Sequence, residues 1–428
     1  MDKSLFFKFE KSYQKKYSHL SNYGHCRYIF ELDLRIAELK EDKIANKNIR
    51  NFIKKQFFLS NLIKKIFVFI LMTLNFFLKE KYIFIRSKTL SYTSYKILKK
   101  KFEENNINVI GTAFFNNNLR AKFKYILSSA WFFDIFERTL EVAQVFKSFN
   151  IKNIDQLKKN LRSRLFLEKI KLAYRNDFNY ASKIIKNLKL KGLLLHTDQT
   201  PSGFIFIMAA KSLNLKTSVL AHGNFRSPFL SAVLPLHADR IFTWTETSKD
   251  FINKCLGKNK AFHVEGIKSN IIERVSDDKI IFVSSPYKII KANNYEEIFF
   301  RMLRDLNHLN LKQLIFCPHP HEDDLNLFRF LKKMKIKISK DLYDVTKYAY
   351  LVLGSHSSFL FESYSSGIPT AQISDICSNP KEHQKISGVP QIYFDDLFKN
   401  GDLKLEIAAK EKNIKNFNVS KIINYYLD

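Results

Sequence analysis

Three apolar runs of buried-strand type end in residues that carry chemistry, and this pattern constrains the fold of the chain more than any other feature. Thr217-Ser218-Val219-Leu220-Ala221 leads into His222-Gly223, and Gln313-Leu314-Ile315-Phe316-Cys317 leads into Pro318-His319-Pro320-His321-Glu322. Tyr350-Leu351-Val352-Leu353 leads into Gly354-Ser355-His356-Ser357-Ser358. Short continuous apolar runs separated by helix-length segments read as parallel strands covered on both faces. Open parallel sheets take ligands outside the carboxyl ends of their strands. The sequence therefore predicts an α/β enzyme whose chemistry sits at strand ends.

Further strands are predicted near Tyr82, Ile107, Gly192, Arg240, Ile280 and Thr370, with helices between them. A chain of 428 residues exceeds one ordinary core. The expected organisation is a basic helical extension over 1–79, a Rossmann-like domain over 80–275 and a second one over 276–428. The second is expected to end in a helix, and a cleft is expected between the two.

Charge is unevenly placed. Of the formal net charge of +30, residues 1–192 hold 40 Lys and Arg against 16 Asp and Glu, and the remainder 31 against 25. Such asymmetry predicts an anionic partner for the N-terminal half, a membrane surface or an acidic polymer. No zinc-finger spacing, ribonucleoprotein motif or recognition helix points to nucleic acid. The apolar run from Ile66 to Leu78, flanked by Lys64, Lys65, Lys79 and Lys81, is shorter than the roughly 20 residues of a membrane span. It reads either as a buried core helix or as an interfacial helix with its lysines at the headgroups. Met1-Asp2-Lys3-Ser4 opens no secretory signal, and Cys26, Cys255, Cys317 and Cys377 form no CxxC pair. The expectation is a cytoplasmic protein, peripheral on the inner membrane face, with free thiols.

The site candidates fall in both halves. Ser355, Ser357 and Ser358 follow Gly354 where a helix is predicted to start, and unpaired N–H groups there favour a phosphate. Ordinary capping would need only one of these hydroxyls. Glu362 lies in the first turns, placed either for a ribose or as a structural carboxylate. His319, held between two prolines, can donate to a leaving phosphate. His321-Glu322-Asp323-Asp324 suits an acidic helix cap better than a metal site. Asp198 or His222 is the candidate base for an acceptor hydroxyl, and Arg226 a candidate acceptor anchor. No GxxxxGK[ST], GxSxG, HExxH or DxD pattern is present. No metal or other cofactor is therefore expected.

The order of these motifs resembles the GT-B family of nucleotide-sugar glycosyltransferases, especially bacterial capsule and lipooligosaccharide enzymes. His319-Pro320 resembles the HP motif of bacterial sialyltransferases and polysialyltransferases, and Ser355, Ser357 and Ser358 resemble their downstream serine motif. Leu215 to Gly223 resembles the His-Gly strand of polymerases that build teichoic acids. The resemblance covers roughly residues 190–375. It implies a metal-independent transferase with a nucleotide-sugar donor, CMP-activated by preference and UDP-activated next, and a glycan or glycolipid acceptor. In the teichoic-acid family the matching histidine is implicated in catalysis, which implies that role for His222. The family's acidic triplet ending in glycine is not evident, so Asp198 stands in for it. A CDP-polyol transferase and a non-catalytic basic adaptor are the alternative readings.

Overall fold

The computed structural model describes residues 3–38, 42–55, 60–77, 82–87, 92–113, 131–221, 236–265, 272, 275–284, 295–308, 312–319, 322, 324–355, 357–374, 389–399, 402–403 and 418–428. Two compact units result, one of Met1–Ile267 with Asn418–Asp428 and one of Lys268–Phe417. Each is a Rossmann-like α/β unit built on a six-stranded parallel sheet, the two-unit composition of the GT-B class.

The first unit begins with helices α1 (Lys3–Lys16), α2 (Tyr28–Glu38), α3 (Asp42–Lys54) and α4 (Ser60–Phe77). Its strands are β1 (Tyr82–Ser87), β2 (Asn108–Ala113), β3 (Leu190–Leu195), β4 (Lys216–Leu220), β5 (Arg240–Thr243) and β6 (Ala261–His263). They pair in the order β2-β1-β3-β4-β5-β6. Helices α5 (Tyr92–Glu103), α6 (Trp131–Arg138), α7 (Glu141–Ser148), α8 (Ile154–Asn160), α9 (Arg164–Asn187), α10 (Pro201–Ser212) and α11 (Glu246–Leu256) connect them. The 24-residue α9 starts at a Ser163 cap and buries Phe166, Ile170, Ala173, Asp177, Tyr180 and Ile184, a stripe at helical spacing.

In the second unit β7 (Lys279–Val283), α12 (Tyr295–His308), β8 (Gln313–Cys317), α13 (Leu325–Lys333), β9 (Lys337–Ile338), α14 (Leu342–Thr346), β10 (Ala349–Gly354), α15 (Phe359–Ser365), β11 (Thr370–Ile373) and β12 (Gln391–Ile392) follow in turn. Alternation along the strands fills both faces. Ile280, Phe282, Leu314, Phe316, Leu351 and Leu353 join one apolar cluster. Ile281, Val283, Ile315, Cys317 and Val352 join the other. That two-sided burial is why these strands are continuously apolar in sequence.

The structure corrects the expected organisation in three places. Residues 418–428 belong to the first unit, not the second. Their helix α16 (Ser420–Leu427) is fixed there by tyrosine hydroxyls. Tyr425 donates to the Thr217 carbonyl at 3.1 Å, and Tyr426 meets the Ser218 hydroxyl at 2.5 Å and the Leu193 carbonyl. Second, the helical N-terminal segment is no appendage. Phe30 and Leu34 of α2 are buried, and Tyr28 packs on Phe204 of α10 with ring centroids 5.8 Å apart. Third, Lys64 does not reach outward. It is buried in α4 and donates to Asp177 at 2.8 Å and Glu141 at 3.1 Å.

Candidate functional site

A parallel sheet opens a crevice where adjacent strands send their connections to opposite faces. Counted within the second unit, the observed order β12-β11-β10-β7-β8-β9 is 6-5-4-1-2-3, the dinucleotide-fold order read from its other edge. Its reversal point lies between β7 and β10. The segments that leave these two strands, and the one that leaves β8 beside them, carry Ser284, Gly354–Ser358 and His319.

Gly354 lies opposite Val283 in the β10–β7 register. A Cβ on Gly354 would stand 2.7 Å from the Val283 carbonyl oxygen, closer than carbon and oxygen tolerate. Only glycine lets the two strand ends close here. Gly354→Ala is therefore expected to push β10 from β7 and to cost about 1–3 kcal/mol of stability. A urea midpoint equal to wild type would refute the tight approach.

Past Gly354, Ser355 is fully buried, and its carbonyl accepts from Gln372 Nε2 of β11 at 2.7 Å. Ser357 Oγ accepts from the Phe359 N–H at 3.3 Å. Ser358 occupies the cap position of α15 without a side-chain capping bond. One hydroxyl thus serves the helix, as ordinary capping requires. With only seven residues, α15 supplies little helix field of its own. The strand-end geometry, more than the helix, recommends this turn.

From β7, buried Ser284 extends the sheet by donating its N–H to the Cys317 carbonyl at 2.9 Å, while its Oγ donates to Glu322 Oε2 at 3.2 Å. His319 is half-buried, and its carbonyl accepts the Glu322 N–H at 2.8 Å. That turn folds Glu322 back over the end of β7. The acidic run read as one helix cap is divided: Asp324 caps α13 through Asn326 and Leu327, and Glu322 faces Ser284. Ser284 was not singled out from the sequence, and Glu322 was read there only as part of an acidic helix cap. The signal present was a serine directly after a strand. Burial pushes the Cys317 thiol up to about 12, with Asp341 adding to it, so this strand-end cysteine stays protonated. Glu362 is buried and accepts the Tyr343 hydroxyl at 2.5 Å, which ties α15 to α14.

In the first unit the corresponding reversal lies between β1 and β3. Asp198 sits past the end of β3 but does a different job from the one expected. Its Oδ2 accepts the backbone N–H groups of His237 and Ala238 at 2.7 and 2.9 Å, and its Oδ1 accepts Gln199 Nε2 at 2.8 Å. Both oxygens are engaged in a buried clamp on the segment before β5, which leaves this carboxylate poorly placed to take a substrate proton. The His237 ring lies edge-on to Tyr28 and Phe204, each with centroids 4.7 Å away. Burial holds that imidazole below its ordinary range against the pull of Asp198. His222, Arg226 and Pro320 lie outside the described residues.

No protein-family model and no curated protein matches the chain. Similar solved structures include a UDP co-structure of S. aureus MnaA, at 15% identity and TM-score 0.48, covering 81% of this chain and 97% of that one. The UDP-GlcNAc 2-epimerase from Neisseria meningitidis bound to UDP-GlcNAc has 14% identity and TM-score 0.46, over 81% and 99%. MurG from Acinetobacter baumannii has 9% identity and TM-score 0.40, over 81% and 99%. These likenesses concern the fold alone.

Proposed function

We propose that the protein is a nucleotide-sugar-dependent transferase whose donor phosphates lie at the carboxyl ends of β7, β8 and β10. The observation that carries this reading is the strand order, which brings Ser284, His319 and the Gly354–Ser358 turn to one reversal point. Hydroxyl and N–H donors from the serine turn would hold the phosphate, and His319 would stabilise the charge that develops as it leaves. Pro320 belongs to this reading as the residue that stiffens His319. Glu362, one turn into α15, would take a ribose hydroxyl while Tyr343 holds its other side.

The finer expectation is a CMP-activated acidic sugar moved to a surface polysaccharide or lipooligosaccharide, with His222 as the acceptor base and Arg226 as an acceptor anchor. UDP, the ligand named for one similar structure, joins CMP, CDP, GDP and ADP in the panel that tests it. A ligand that binds only the native state raises the melting temperature by mass action, about 2.7 kcal/mol at a hundredfold excess over Kd. A selective CMP shift is the expected result. A UDP shift would replace the donor, a CDP shift would favour the polyol-phosphate transferase, and no shift with any nucleotide would contradict the reading.

Membrane association completes the proposal. Among the described residues no helix is long and apolar enough to cross a bilayer. Yet α4 leaves Leu62, Ile66, Phe69 and Ile70 exposed along one side, Phe69 by 71%, while Phe67 and Lys64 face inward. Lys65 is exposed on the same helix. An apolar stripe on a strongly basic half suits an anionic lipid surface. Cosedimentation with phosphatidylcholine–phosphatidylglycerol vesicles is expected, and the double change Ile66→Glu and Phe69→Glu should weaken it by about tenfold or more. Equal binding by the variant would contradict the role given to α4.

A further inference from the structure

A pocket of about 260 Å³ lies in the first unit beside its own strand-reversal point. Its wall includes Gln199, Thr200 and Ser202, which follow β3, and Glu137, which pairs with Arg86 at the end of β1 at 3.2 Å. Helices α2 and α3 close the other side with Asp33, Asn48, Asn51 and Phe52. The pocket thus occupies the place where a parallel sheet takes a ligand. It owes its outer wall to the N-terminal helices.

The lining chemistry is specific. Three amides, two hydroxyls and two carboxylates surround a space that Phe52, Ile29 and Phe146 make partly apolar. Phosphates are poorly served there, because the one cation in the wall, Lys55, stands 3.8 Å from Glu137 and two carboxylates share the space. Neutral molecules rich in hydroxyl groups are well served. Amides both donate and accept, a carboxylate accepts from hydroxyls, and an aromatic ring covers the C–H face of a sugar.

Asp33 offers such a ligand an acceptor. Among the described residues its hydrogen-bond partner is Asn48, which donates Nδ2 to Oδ1 at 3.1 Å. The side chain lines the pocket, where its carboxylate can accept from a ligand hydroxyl. Burial raises this carboxyl to about 7, and Asn48 only partly offsets it. Lys55 from α3 and Glu137 from α6 are the charged groups that share the pocket.

We propose that this pocket binds a neutral sugar unit and that Asp33 accepts a hydrogen bond from one of its hydroxyls. This deepens the transferase reading by assigning the first unit a sugar, the acceptor class expected there. The bond is stronger to the ionised carboxylate, so sugar affinity rises between pH 6 and pH 8 as the carboxyl ionises.

The test is ligand-observed NMR with galactose, N-acetylglucosamine and lactose on the full chain, at pH 6 and pH 8. Binding of at least one sugar is expected, about tenfold weaker in Asp33→Asn and without the pH dependence. Asn51→Ala, which alters the α3 part of the wall and leaves the Asn48–Asp33 bond in place, should weaken it as well. Nucleotide shifts should stay at wild-type values in both variants, so a failure here is separable from failure of the donor-site reading. Absence of binding by all three sugars, or binding unchanged in both variants, would overturn the proposal.

Discussion

Replacing His319 by alanine is expected to lower turnover by about 10²- to 10⁴-fold while nucleotide affinity changes by less than about tenfold. His319 lies two residues past the end of β8 and beside the β7–β10 crevice. Its backbone is fixed by Pro318 before it and by the Glu322 N–H on its carbonyl. A ring held that way loses little freedom when it meets the departing phosphate, and its hydrogen bond strengthens as negative charge accumulates there. Interactions stronger in the transition state than in the ground state raise kcat and leave binding nearly unchanged. Release of nucleotide from the donor chosen by the melting screen gives the rate, and titration of the bare nucleotide gives the affinity. A variant with wild-type kcat would remove His319 from the reaction. One that merely binds donor more weakly would make it a binding residue.

The second large effect concerns stability. Asp177→Ala is expected to destabilise the first unit by about 3–5 kcal/mol. The Asp177 carboxylate is completely buried in α9 and receives Lys64 at 2.8 Å and the first N–H groups of α7, from Glu141 and Val142, at 3.0 and 3.1 Å. Removing it strands a buried ammonium with the more exposed Glu141 as its remaining ionic partner, and uncaps a helix. Breaking a buried pair from one side costs far more than the pair itself contributes. Burial raises the Asp177 carboxyl to about 6, outweighing Lys64 and the two N–H groups. An unfolded aspartate titrates near 4. Between these values the folded state holds more protons, so this group's contribution falls as pH rises from about 4 to about 6 and is level above. Asp177→Asn should abolish that slope. Urea denaturation at several pH values measures both effects, and a loss below about 1 kcal/mol for Asp177→Ala would mean the pair behaves as a surface bridge.

The α/β class was legible because strands buried on both faces leave continuous apolar runs, and Ile280–Val283 or Leu351–Leu353 can hardly be read otherwise. The strand-end histidine and serines were legible for the same reason. What sequence hid were partnerships across long separations. Lys64 looked like a headgroup anchor because its partner Asp177 lies 113 residues on. The C-terminal helix looked like part of the nearest domain, because Tyr426 reaches Ser218 over 208 residues. Asp198 looked like a base until the backbone of His237 and Ala238 claimed it. Asp33 gave no signal, since a single carboxylate on a helix differs from a solvated one only through the packing around it.

Photolabelling tests most directly whether nucleotide phosphate binds at the β7–β8–β10 strand ends. An azido analogue of the nucleotide that shifts the melting temperature would be crosslinked to the full chain, and the labelled peptides mapped. Label in peptides containing Ser284, His319 or Ser355–Ser358, competed by the unmodified nucleotide, is the expected result. Competed label confined to the first unit would contradict the account.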